Sequence, residues 1–152
     1  MLEQEKPAKV DEKPQPARVN GTERIAFTAV VSTTELYIPD ERIRFDETIS
    51  NVGEHYDTKG FFFTCPHDGL YVIFVSINQH EHSHNKGKIR KNDSTLLKLV
   101  ADDQGDRDSA SASLVVRCDV GDELSVEADS EGLYAGASTA PCHFTVYMLH
   151  KY

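Results

Sequence analysis

The densest group of metal-ligating side chains in the sequence is Asp102-Asp103-Gln104-Gly105-Asp106-Arg107-Asp108. So many carboxylates in one short segment repel one another, and a hard cation relieves that repulsion. Calcium takes about six to eight oxygen ligands and accepts carboxylates, amide oxygens and water in flexible geometry. The segment is a candidate calcium site, and the competing reading is a solvated acidic loop. In Gln79-His80-Glu81-His82-Ser83-His84, the residues His80, His82 and His84 alternate, so on an extended strand they share one face. Such imidazoles can hold zinc or titrate as a pH-sensitive cluster, against the plainer reading of an exposed loop with a chance His run. Lys86, Lys88, Arg90 and Lys91 form the one basic patch. Spaced by two at Lys86, Lys88 and Arg90, its cations can face an anionic glycan, a phosphate or an acidic protein, or simply water.

Catalytic chemistry finds no foothold. Cys65 and His67 are close in sequence, but Cys65-Pro66-His67-Asp68-Gly69 reads as a turn, with Pro66 setting φ and Gly69 ending it. There is no nucleophile elbow, zinc-protease motif, phosphate loop or dinucleotide fingerprint. The chain is therefore read as a binding protein and not an enzyme. Cys65, Cys118 and Cys142 cannot all pair within one chain and show no zinc spacing; a Cys118–Cys142 bridge stays open. Two glycosylation sequons start at Asn20 and Asn92 and matter only on export.

The 152 residues fit one domain with a short extension. Residues 1–18 carry four acids and four bases, so the net charge of −9 falls on the remainder. A surface so acidic repels nucleic acid. No apolar run is long enough for a membrane span, and the N-terminus lacks the apolar stretch of a signal peptide. The expectation is a secreted protein in processed form, with a cytoplasmic location as the alternative. Residues 1–21, rich in Lys, Glu and Pro, are too polar to offset their own ordering entropy and read as a linker or tail; residues 22–152 read as the globular domain.

The elements that position these groups have period two. Ile25, Phe27, Ala29 and Val31 share one face of a strand; Ile43, Phe45 and Ile49 alternate with polar residues; Phe61, Phe63 and Cys65 repeat the pattern. The run Leu70–Ile77 is apolar on both faces, as in a central strand covered on one side by a second sheet and on the other by a neighbouring subunit. Further strands are legible at 94–100, 112–118, 123–129 and 143–151, separated by turn residues such as Asn92-Asp93 and Gly121-Asp122. Many short strands and no helical rhythm predict an antiparallel sandwich or jelly roll.

The ordered set Ile43, Phe45, Asn51, Gly53, Tyr56, Asp57, Gly60, Phe61, Cys65, Pro66, Gly69, Tyr71 and Phe74, followed by Gly121-Asp122 and Phe144, resembles the globular head of the complement C1q family over about 130 residues. It departs from that pattern at Val146, where the family usually has Gly, which bears on packing or subunit contact there. The resemblance implies a ten-stranded jelly roll, shared with the tumour necrosis factor fold, that assembles as a trimer. In calcium-binding members the ligands come from the loop before the small-residue run, which matches Asp103, Gln104 and Asp108 by position and leaves Asp106 a local candidate. The implied function is a non-catalytic, lectin-like recognition module of innate immunity that binds anionic glycans, microbial surfaces or proteins multivalently. The alternatives are a cytokine-like ligand engaging a receptor at subunit grooves and the C-terminal module of an intracellular scaffold.

Overall fold

The computed structural model describes residues 23–78, 85–101, 109–129, 133–135 and 142–152. They form strands β1 (Ala26–Val30), β2 (Glu35–Tyr37), β3 (Glu47–Val52), β4 (Tyr56–Asp57), β5 (Phe62–Thr64), β6 (Gly69–Asn78), β7 (Asn85–Lys91), β8 (Ser94–Ala101), β9 (Ser109–Cys118), β10 (Glu123–Ala128), β11 (Leu133–Ala135) and β12 (His143–Lys151). Ten of these make two five-stranded antiparallel sheets, ordered β3-β1-β12-β6-β9 and β4-β5-β10-β7-β8, while β2 and β11 pair as a short ribbon. This is the all-β jelly roll that the periodicity predicts. Among the described residues no helix is long and apolar enough to cross a membrane.

Period-two burial explains why the sheets stack. Along β6, Tyr71, Ile73, Val75 and Ile77 are fully buried, while Leu70, Val72 and Phe74 face away from the core. Each buried side chain of this size contributes about 1.5–3 kcal/mol relative to exposure. An aromatic cluster fills the space between the sheets. The Phe27 ring stacks on Tyr56 at 4.3 Å and meets Phe144 edge-on at 5.0 Å, and Phe63 reaches Tyr71 at 6.0 Å. Val146 is fully buried. The departure at that position therefore concerns core packing and not the outer surface.

Several signature residues prove to be turn hardware. The Asn51 side chain donates to the Tyr56 carbonyl at 3.0 Å and accepts from the Tyr56 amide at 3.2 Å, closing the β3–β4 turn, where Gly53 adopts φ +88°. The Tyr56 hydroxyl donates to the Phe45 carbonyl at 2.7 Å. At Gly69 a Cβ would lie 2.3 Å from the His150 carbonyl oxygen, so only glycine lets β12 approach. One sequence expectation fails locally. Ile43 and Phe45 are buried, but they lie ahead of β3, joined to β10 through the Ile43 amide and the Val126 carbonyl, and Ile49 is 72% exposed. The register shift between Thr28 and Ala29 breaks the alternation there.

Candidate functional site: two outer faces and one end

The ladder registers place side chains of the first sheet in rows across all five strands. One outward row runs Val52, Ala26, Tyr147, Val72, Val115. Every member is apolar or aromatic, and at the usual strand spacing the row spans about 20 Å. Val52, Tyr147 and Val115 are exposed, Val115 by 57%. The next row reads Ser50, Thr28, Thr145, Phe74, Ser113, with the Thr28 and Thr145 hydroxyls hydrogen-bonded at 2.8 Å. Beyond it lie Glu47, Val30, His143, Ser76 and Ser111. His143 packs at 5.4 Å from the Phe74 ring, and burial pushes its pKa below the ordinary 6.5. A groove of about 820 Å³ lies over the β3–β1–β12 part of this face, lined by Val52, Ala26 and Tyr147 of the apolar row, Thr28 and Thr145 of the next, and Tyr152.

The outer face of the second sheet carries the basic patch. On β7, Asn85, Gly87 and Ile89 point inward, so Lys86, Lys88 and Arg90 share the outward face, as their spacing predicts. They do not stand as a bare row of cations. Lys88 pairs with Asp40 and lies 3.7 Å from Glu127; Arg90 lies 3.5 Å from Glu127 and donates to Thr95 at 2.8 Å. Lys91 donates to the Arg117 carbonyl at 3.0 Å and lies 3.9 Å from Asp122, and Lys98 on β8 pairs with Asp129. The hydrogen bond to Lys88 holds the Asp40 carboxyl below its usual range, and the same bond raises the Lys88 ammonium.

Asp103, Gln104, Asp106 and Asp108, together with His80, His82 and His84, lie outside the described residues, as does the sequon at Asn20. Their anchor points are described. Residues 79–84 join Asn78 to Asn85, and 102–108 join Ala101 to Ser109; Asn78 pairs with Ser109 in one sheet and Asn85 with Ala101 in the other. Both candidate segments therefore leave the sandwich from the same end. The Asn92 side chain at the β7–β8 turn donates to Asp122 and accepts from the Glu123 amide, both at 2.9 Å, so its sequon is built into a packed turn.

Cys65, Cys118 and Cys142 are buried and form no disulfide. Cys118 opposes Gly69 at one end of β6, whereas Cys142 precedes His143, which opposes Ser76 near the other. At about 3.3 Å per residue these two cysteines stand more than roughly 20 Å apart, and no bridge can join them. His67 pairs with Glu23 at 2.6 Å. The Cys65–Gly69 segment is a sheet-to-sheet turn, as the sequence implies.

The apolar row is the feature sequence reasoning saw only in part. Leu70, Val72 and Phe74 were legible as a second stripe on β6; Val52, Tyr147 and Val115 join it only through the register.

The C1q domain family matches residues 26–149. Over 52 residues, 34% of this chain, the sequence is 35% identical to a complement C1q subcomponent of Rattus norvegicus, and likewise to its counterpart in Mus musculus. That stretch is 21% of each of those curated relatives, so the likeness spans about a fifth of their length. Among solved structures, the globular domain of zebrafish complement 1qA protein superposes with a TM-score of 0.70 at 15% identity, covering 84% of this chain and 99% of that one. Eiger TNF from S. frugiperda gives 0.71 at 14% identity, covering 86% and 96%. At these identities the structural likeness establishes the fold.

Proposed function

The chain belongs to the C1q domain family, and from that premise we propose that it is a secreted, non-catalytic recognition module of innate immunity, a homotrimer that binds anionic glycans, microbial surface molecules or proteins multivalently. The observation that carries this reading is the unbroken row Val52, Ala26, Tyr147, Val72, Val115 across one sheet. A contiguous apolar band on a small domain marks an association surface. Three copies meeting through this face cover it and leave the second sheet and the sandwich ends for ligand.

On that second sheet, Lys86, Lys88, Arg90 and Lys91 bind an anion by exchanging it against Asp40, Glu127 and Asp122. Such exchange keeps each site weak, because the gain is a difference between two ion pairs in water. Weak sites on a rigid trimer gain through effective concentration. Asp103, Gln104, Asp106 and Asp108 supply the carboxylate and amide oxygens that suit calcium; bound there, the ion neutralises the acidic segment and orders that end. His80, His82 and His84, between Asn78 and Asn85 in sequence, supply imidazoles suited to zinc or to a pH-responsive role.

Surface plasmon resonance on immobilised dextran sulfate, at sparse and dense loading and with calcium or chelator, tests the reading. Dissociation slows markedly on the dense surface, and chelator weakens binding at both densities. Equal dissociation at both densities contradicts multivalency, and indifference to chelator contradicts the metal segment.

A further inference from the structure

At the end of the sandwich opposite the acidic and histidine segments, two sheet-to-sheet crossings run side by side. Residues 65–69 lead β5 into β6, and residues 119–122 lead β9 into β10. The Cys65 amide donates to the Asp122 carbonyl at 2.8 Å, the Gly121 amide donates to the Cys65 carbonyl at 2.8 Å, and the Val120 amide donates to the Asp68 carboxylate at 2.7 Å. Cys118, the last residue of β9, opposes Gly69 in the ladder. The two cysteines thus open adjacent crossings, one from each sheet. Both are fully buried, and the backbone bonds hold their crossings side by side. Cys142 lies beyond reach at the opposite end.

We propose that Cys65 and Cys118 are a thiol–disulfide site, closing to an intrachain disulfide that staples the two sheets when the chain folds in the presence of a small disulfide oxidant such as oxidised glutathione. One cysteine thiolate attacks the oxidant's disulfide and expels one thiol. The second thiolate attacks the resulting mixed disulfide and expels the other. The protein loses two hydrogens, the oxidant gains two electrons and two protons, and one S–S bond replaces another. Two buried cysteines at the mouths of crossings strapped together by backbone hydrogen bonds need little movement to meet disulfide geometry. The neighbouring Cys118 thiol and burial together push the Cys65 thiol well up, and burial bars oxidant from the folded core, so the exchange belongs to folding. The bridge closes a loop of about fifty residues and constrains the unfolded chain. The pair therefore stays reduced in a reducing compartment and cross-linked in an oxidising one.

The test refolds the full chain in a reduced and oxidised glutathione mixture, alkylates it in denaturant without reduction, and maps its peptides by mass spectrometry. A parallel sample is refolded under reductant. The expected result is a Cys65–Cys118 linked peptide with Cys142 alkylated, and a melting temperature about 10 °C above that of the reduced sample. The Cys142→Ala chain keeps the linked peptide. Alkylation of all three cysteines in the oxidant-refolded chain, or a linked peptide containing Cys142, overturns the proposal.

Discussion

The two sheets turn opposite chemistries outward. On the first, Val52, Ala26, Tyr147, Val72 and Val115 form an apolar band with hydroxyl side chains beside it. On the second, Lys88, Arg90, Asp40 and Glu127 neutralise one another within the face. A charged face can close its interactions in cis and still meet water. An apolar face cannot, because its only gain comes from leaving water, and that requires another surface. The same strand chemistry thus yields one sheet suited to association and one suited to solvent and exchangeable ligands.

The largest effect separating the faces should come from Val72→Glu. A carboxylate at the centre of the apolar row must be desolvated without a partner, so the proposed trimer dissociates and sedimentation velocity reports single chains. Lys98→Gln, an equivalent charge change on the second sheet, should leave the sedimentation coefficient of the assembly unchanged. If both variants behave alike, the distinction between the faces is lost.

A smaller effect is expected from Lys88→Ala. It releases Asp40 and leaves Glu127 to Arg90, and because Asp40 stands in water the loss of stability is small. Chemical denaturation should show that loss without a change of mass, while retention on dextran sulfate weakens.

The pH dependence of the first sheet sharpens the contrast further. His143 lies between Val30 and Ser76, and burial lowers its folded pKa below 6.5. The unfolded chain then binds more protons, so stability is full above pH 6.5 and declines as pH falls through that value. His143→Gln should flatten the melting temperature between neutral pH and about pH 5.5; an unchanged slope assigns the loss to other groups. The smallest effect concerns salt. Raising ionic strength to about 0.5 M screens the pairs of the second sheet and leaves the apolar association intact. Salt-induced dissociation would show that charge holds the assembly.

Much of this was legible from spacing. Tyr71, Ile73, Val75 and Ile77 were readable as a buried stripe because β6 is long and regular, and the β7 cations as one face because they alternate. Ile49 misled because a register shift in the neighbouring pair reverses its direction, and no local pattern announces such a bulge. The pairing of Lys88 with Asp40 joins residues 48 apart, and the backbone bonds from Cys65 to Gly121 and Asp122 join two crossings distant in sequence. Both follow from topology and not from composition. Calcium ligation at Asp103, Gln104 and Asp108 rests on the family resemblance, and at Asp106 on donor chemistry alone.

The most direct test of the central claim is the solution mass of the unmodified chain by light scattering over a dilution series. Three chain masses, held across the dilution range, are the expected result and give the apolar row its covering partners. One chain mass throughout would mean that Val52, Tyr147, Val72 and Val115 face water in the working protein, and the multivalent mechanism would fall with the trimer.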